Sequence, residues 1–163
     1  MHWKMSLEKA LDILIQKPVS VLWSGYIRRL NVEGISIRAG ENDLVAVFKL
    51  DTNKQLTRQK SGDYLQCADS LIVCIKADRL DYRLLIVESK NSANLKKATN
   101  QLESAYNILK EMKIISDARK VKFLIVAKKS VLNKDRLKKQ IAEIDGIAVK
   151  TVRGKEIDLE VFF

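Results

Sequence analysis

The chain has 163 residues, 47% of them hydrophobic, which suits one globular domain over residues 1–163 with an apolar core. Its 30 Lys and Arg against 20 Asp and Glu give a formal charge of +10, a balance that favours a polyanionic partner such as nucleic acid or an anionic membrane surface. One histidine near the start, no glycine-rich nucleotide loop and no apolar run near the roughly 18–20 residues a bilayer needs exclude four classes: imidazole-based hydrolysis, histidine-ligated zinc, P-loop chemistry and a helical membrane span.

Taken in chain order, residues 1–6 place no apolar stretch after a basic one, so they do not read as a secretory signal, and a cytoplasmic chain is expected. Ser6 can cap a helix over residues 7–16, with Leu7, Ala10, Leu11, Leu14 and Ile15 on one face and Pro18 ending it. Residues 19–42 admit either a second helix over 19–30 or a pair of strands. Residues 44–48 are a continuous apolar run that predicts a strand. Residues 52–62 are polar and carry Lys54, Arg58 and Lys60. Two apolar runs follow, 69–76 and 83–90, joined by the polar stretch 76–81, and predict a hairpin with its turn at Asp78-Arg79.

Beyond the hairpin, Leu95, Ala98, Leu102, Ala105, Leu109 and Met112 recur at steps of three and four and predict a buried helix face over 92–112. Residues 121–127 read as a short, buried strand. Asn133 can cap a helix to about Ile144, and 147–152 and 159–162 read as late strands. Both hairpin runs are apolar on both faces, which a sheet covered on both sides explains. The expected fold is α/β, a mixed central sheet flanked by helices. Cys67 and Cys74 lack a metal-binding spacing or a histidine partner and are expected as reduced, buried thiols.

The hairpin concentrates the polar chemistry at one end. Direct pairing makes every residue pair sum to 157: 71 with 86, 73 with 84, 75 with 82. Asp69 then falls opposite Glu88, and opposite residues in an antiparallel pair have Cβ atoms about 4.5–5.5 Å apart. Alternation puts Lys90 on the same face as Glu88. Two carboxylates beside an ammonium suit a hard divalent cation, Mg²⁺ or Mn²⁺, that keeps several waters. A slip of one residue would dissolve the site. Glu111 and Lys113 repeat the Glu-x-Lys spacing at the end of the predicted helix, where no strand presents them. Asp63 competes for the first carboxylate, but Asp69 abuts the apolar run.

Ala68-Asp69 before residues 70–73, then Glu88-Ser89-Lys90, then Gln101-Leu102 on the next helix resemble the PD-(D/E)XK nuclease superfamily. That superfamily includes restriction endonucleases, Holliday-junction resolvases and RecB-type nuclease domains. The resemblance covers about residues 43–127 and implies the restriction endonuclease-like αβββαβ core. It implies a Mg²⁺- or Mn²⁺-dependent nuclease hydrolysing phosphodiester bonds in nucleic acid, DNA foremost. Asp69, Glu88 and the Ser89 carbonyl would be metal ligands, Lys90 would position or activate the attacking water, and Gln101 would orient a phosphate or that water. Two positions depart from the pattern. Ala68 stands where the family commonly has Pro. Ala105 stands where RecB-type members carry Tyr, and Tyr106 falls about 140° around the helix from Gln101.

Lys96, Lys97, Lys60 and Arg58 are candidates for phosphate contacts, which supply affinity without sequence information. Lys128, Lys129, Lys134, Lys138 and Lys139 form a second basic cluster, and Glu8 or Glu41 is a candidate extra carboxylate. Cutting both strands of a duplex would favour a homodimer. A rival reading is a catalytically inactive nucleic-acid-binding module on the same fold. A membrane-surface or protein-interaction role lacks a basic amphipathic helix with a bulky aromatic face.

Overall fold

The computed structural model describes residues 20–23, 29–32, 34–40, 43–51, 66–76, 81–90, 95–127, 143–154 and 156–162. Ten strands fall within them: β1 Ser20–Trp23, β2 Arg29–Val32, β3 Ile35–Arg38, β4 Asp43–Lys49, β5 Ser70–Lys76, β6 Asp81–Lys90, β7 Val121–Ala127, β8 Glu143–Ile144, β9 Ile147–Arg153 and β10 Glu156–Asp158. Helix α1 spans Leu95–Glu111 and a short α2 spans Leu159–Phe162. The fold is mixed α/β. Among these residues no helix is long and apolar enough to cross a membrane.

The larger sheet has seven strands in the order β1-β4-β5-β6-β7-β9-β8. Strands β1, β4, β5 and β6 pair antiparallel, β6, β7 and β9 pair parallel, and β8 pairs antiparallel with β9. The hairpin register is the expected one: Leu71 opposes Ile86, Val73 opposes Leu84 and Ile75 opposes Tyr82. The turn at Asp78-Arg79 and the helices expected over 7–16 and from Asn133 lie outside the described residues, apart from the end of the latter.

Strict alternation feeds two cores. Leu71, Val73, Leu84, Ile86, Phe123 and Ile125 point to one face, where Ala98, Leu102, Ala105, Tyr106 and Leu109 of α1 cover them. Each fully buried Leu, Ile or Phe there contributes about 1.5–3 kcal/mol by leaving water. Helix α1 ends in a Schellman motif. Lys113 takes φ 60°, its N–H donates to the Lys110 carbonyl (3.0 Å), and the Ile114 N–H donates to the Leu109 carbonyl (2.9 Å).

Among the described residues, the opposite face is covered by a second sheet of three strands, β10-β3-β2, together with α2. Ile35, Ile37 and Ile157 of that small sheet pack on Val45, Val47, Ile72, Cys74, Leu85 and Val87. Residues 19–42, open in the sequence between a helix and strands, thus contribute β1, β2 and β3.

Two late elements differ from expectation. The helix predicted to reach Ile144 does not: Glu143–Ile144 is a strand. Asp145 (φ 52°) and Gly146 (φ 75°) form a two-residue turn that pairs it with β9. Asp-Gly with positive φ at both positions suits the twist of a tight hairpin, and this local signal overrides helical periodicity. Residues 159–162 are helical rather than extended. Leu159 and Phe162, three apart, share one buried side, and the Asp158 carboxylate accepts the Glu160 N–H (3.1 Å) at the start of the turn.

Candidate active site at the end of the β5–β6 hairpin

Asp69 immediately precedes β5 and Glu88 lies near the end of β6. The observed register, continued one step past Ser70 opposite Val87, sets them opposite each other on the face covered by α1. Their carboxylates are crossed. The Asp69 N–H donates to Glu88 Oε2 (3.1 Å), and the Ser89 N–H donates to Asp69 Oδ2 (2.8 Å). Each side chain is thus aimed by a backbone amide on the other's strand. Glu88 is only 1% exposed, and Asp69 is half-buried.

The backbone around Asp69 is held from two further elements. Its carbonyl accepts the N–H of Leu50, just past β4 (2.9 Å), and the Ala68 N–H donates to the carbonyl of Gln101 in α1 (3.0 Å). The loop that delivers Asp69 is therefore fixed by β4, β6 and α1 together. Gln101 does reach the site, but through its backbone. Its half-buried side chain has Oε1 shielded from solvent, without a hydrogen-bond partner among the described residues.

Lys90 is the last residue of β6, two positions beyond Glu88 and paired with Ala127 of β7; its side chain lies outside what is described. Lys96 and Lys97 are exposed on the first turn of α1, which carries no acidic residue. Arg58, Lys60, Glu8, Glu41, Asp63 and the cluster from Lys128 to Lys139 lie outside the described residues. Tyr106 turns away from Gln101, as its place on the helix requires. Its hydroxyl donates to Asp145 Oδ2 (2.6 Å), and its ring meets Phe123 edge-on at 5.5 Å.

A buried thiol lies beside Ala68 and Asp69. Burial pushes the Cys67 thiol up to about 12, and the charges of Asp51, Glu88 and Asp69 add to that shift. Asp51, exposed in the turn after β4, follows the residue that bonds Asp69. Cys67 and Cys74 are both buried and form no disulfide.

Among the described residues, no group of three or more His, Cys, Asp or Glu side chains is placed to hold a metal ion. The chain matches no protein-family model, no curated protein and no solved structure.

Proposed function

We propose that this protein is a metal-dependent nuclease of the PD-(D/E)XK type, hydrolysing phosphodiester bonds in nucleic acid, with DNA as the first candidate substrate. The carrying observation is the crossed pair, in which Asp69 and Glu88 each accept a backbone N–H from the other's strand at one end of a sheet. The strand order β4-β5-β6, helix α1, strand β7 supports the reading, because it follows the strand, strand, strand, helix, strand part of the proposed core. The charge of +10 suits a phosphate backbone.

The donor set fits Mg²⁺ or Mn²⁺. It is all oxygen: two carboxylates and the Ser89 carbonyl. Mg²⁺ is usually held by one or two carboxylates and waters rather than by an all-protein cage. An ionised carboxylate has about four lone-pair sites, so accepting one N–H leaves room for a cation. When bound, the cation lowers the pKa of a water and shields the phosphate.

The chain's own residues do the rest. Asp69 and Glu88 bind the cation in an orientation set beforehand by the Ser89 and Asp69 amides. Because burial strips water from Glu88, its charge acts in a medium of lower dielectric. Lys90, on the same face, holds the attacking hydroxide and offsets charge developing on the phosphate. The Gln101 carbonyl keeps Ala68, and with it Asp69, in place. Lys96 and Lys97 contact the backbone of the substrate. For duplex cutting a homodimer presents two such sites with the symmetry of the substrate; a monomer by light scattering at working concentration would refute that part.

The test is cleavage of plasmid, linear duplex, single strand, four-way junction and RNA with Mg²⁺, Mn²⁺ or EDTA, comparing wild type with Asp69→Ala and Glu88→Ala. Metal-dependent cutting by wild type alone, with binding retained in the variants, is the expected result. Salt-sensitive binding with no cutting by any of the three would replace the reading with a non-catalytic nucleic-acid-binding module.

A further inference from the structure

The face of the larger sheet that carries β3 and α2 is only partly covered by them. Three cationic residues stand where that cover stops: Arg83 on β6, Lys122 on β7 and Lys150 on β9. Alternation fixes their side, since Leu85 and Val87, Leu124 and Val126, and Val152 of the same strands belong to or pack on that core. Arg83 and Lys122 are half-buried. Lys150 and Ala148, its neighbour on that face, are exposed.

The register makes the spacing of the three regular. Lys122 pairs with Leu85, two residues beyond Arg83, and Lys150 pairs with Leu124, two residues beyond Lys122. Each step is therefore one strand across and two residues along, about 8 Å between Cα atoms. Arg83 and Lys150 are further placed by contacts. Arg83 Nη1 donates to the Tyr82 carbonyl (3.0 Å), and Lys150 Nζ lies 5.2 Å from the centre of the Phe162 ring. Among the described residues, neither Lys122 nor Lys150 forms an ion pair. Glu143 of β8, exposed and opposite Ala148, bounds the line on its outer side. Like charges on adjacent strands do not stabilise a sheet, and a polyanion laid across them offsets their repulsion.

We infer that Arg83, Lys122 and Lys150 form an anchoring surface for the phosphate backbone of nucleic acid, on the sheet face turned away from the carboxylate pair. Glu88 lies five residues beyond Arg83 on β6, about 17 Å along the strand, and points to the other face. The stretch held here is therefore not the stretch at Asp69 and Glu88. A phosphate backbone fits a line of cations better than a lipid surface does. A lipid surface also takes up apolar side chains, and among the described residues Val161 is the one large apolar side chain left exposed. The inference goes beyond the nuclease reading, because it holds whether or not the carboxylate pair cuts.

The experiment measures binding of a DNA duplex and of RNA in EDTA across a salt series, and cleavage kinetics in Mg²⁺. Wild type is compared with Lys150→Gln, with the double variant Lys122→Gln/Lys150→Gln, and with Lys122→Arg/Lys150→Arg. The exposed Lys150→Gln keeps the test open if the double variant fails to fold, which melting in EDTA reports. The expected result is about tenfold weaker binding in the double variant, with a log–log salt slope smaller by about 2, and a slope smaller by about 1 in Lys150→Gln. KM rises to match while kcat at saturation stays within about twofold, and the Arg variant binds like wild type. Unchanged affinity and slope in folded Gln variants would overturn the inference. So would binding by wild type to vesicles of anionic phospholipid but not to nucleic acid, or to neither. Glu88→Gln is assayed in parallel. If it abolishes cutting while the Gln variants bind like wild type, the nuclease reading survives and the anchoring surface falls. If wild type never cuts, yet its salt-sensitive binding weakens as expected in the Gln variants, the anchoring surface stands and the nuclease reading falls.

Discussion

Glu88 and Asp145, both near α1, are held by opposite means. Glu88 is 1% exposed and lies across from a second carboxylate, Asp69, and each of the two accepts a backbone N–H. The Asp145 side chain is 51% exposed, accepts the Tyr106 hydroxyl at 2.6 Å and lies 3.6 Å from Lys110 Nζ. The second arrangement satisfies itself: a donor and a cation meet an acceptor in water, and the β8–β9 turn is pinned to the helix. The first brings two carboxylates opposite each other, one of them buried, the arrangement on which the proposed cation site rests.

The largest expected effect falls on the first arrangement. Glu88→Gln keeps a carbonyl oxygen to accept the Asp69 N–H and so preserves the local geometry. Its cleavage should nevertheless fall by at least about 10²–10³-fold, the scale seen when one transition-state-stabilising group is removed. Melting should stay within a few degrees of wild type in EDTA. A variant that unfolds would mean that Glu88 serves the fold.

Tyr106→Phe probes the second arrangement. Loss of its hydrogen bond to a partly solvated carboxylate should cost about 1 kcal/mol in urea unfolding and leave cleavage unchanged. A loss of cleavage at full stability would tie Tyr106 to the site and contradict its placement towards Asp145.

The smallest effect is a pH dependence of that same latch. The Tyr106 hydrogen bond, then Lys110, hold the Asp145 carboxyl below its ordinary value. Its contribution is present above the unfolded value, about 3.9, and is lost as pH falls through the folded one. Tyr106 is pushed up to about 12, by burial first and by Asp145 second. Its contribution is present below the unfolded value, about 10, and is lost as pH rises through the folded one. The stability gap between wild type and Tyr106→Phe should therefore be flat across neutral pH and shrink at both extremes. A gap that stays constant from pH 3 to about 11 would show that the hydroxyl does not bond an ionised Asp145.

The difference between the two regions also shows what a sequence can carry. Period-2 alternation and the polar ends of two apolar runs were enough to set the β5–β6 register, and with it Asp69 opposite Glu88, because a one-residue slip would expose an entire face. The angle of Tyr106 from Gln101 was legible for the same reason, since helical geometry is local. What stayed hidden depends on contacts between distant segments. Ile35, Ile37 and Ile157 come from distant parts of the chain to cover the second face of the sheet. Gln101 meets Ala68 through a carbonyl, which no side-chain pattern reveals, and the Leu50–Asp69 hydrogen bond ties the end of β4 to the site. Local chemistry was overlooked too. The Asp145-Gly146 turn was readable, yet the helical pattern before it masked the strand Glu143–Ile144.

The most direct test of the central claim, that Asp69 and Glu88 together form a divalent-cation site, is calorimetric titration of the purified protein with Mn²⁺, wild type beside Glu88→Gln. The account predicts saturable binding by wild type and its loss, or a weakening of at least about tenfold, in the variant, whose melting in EDTA stays near that of wild type. Equal Mn²⁺ binding by the two proteins, or none by either, would contradict it.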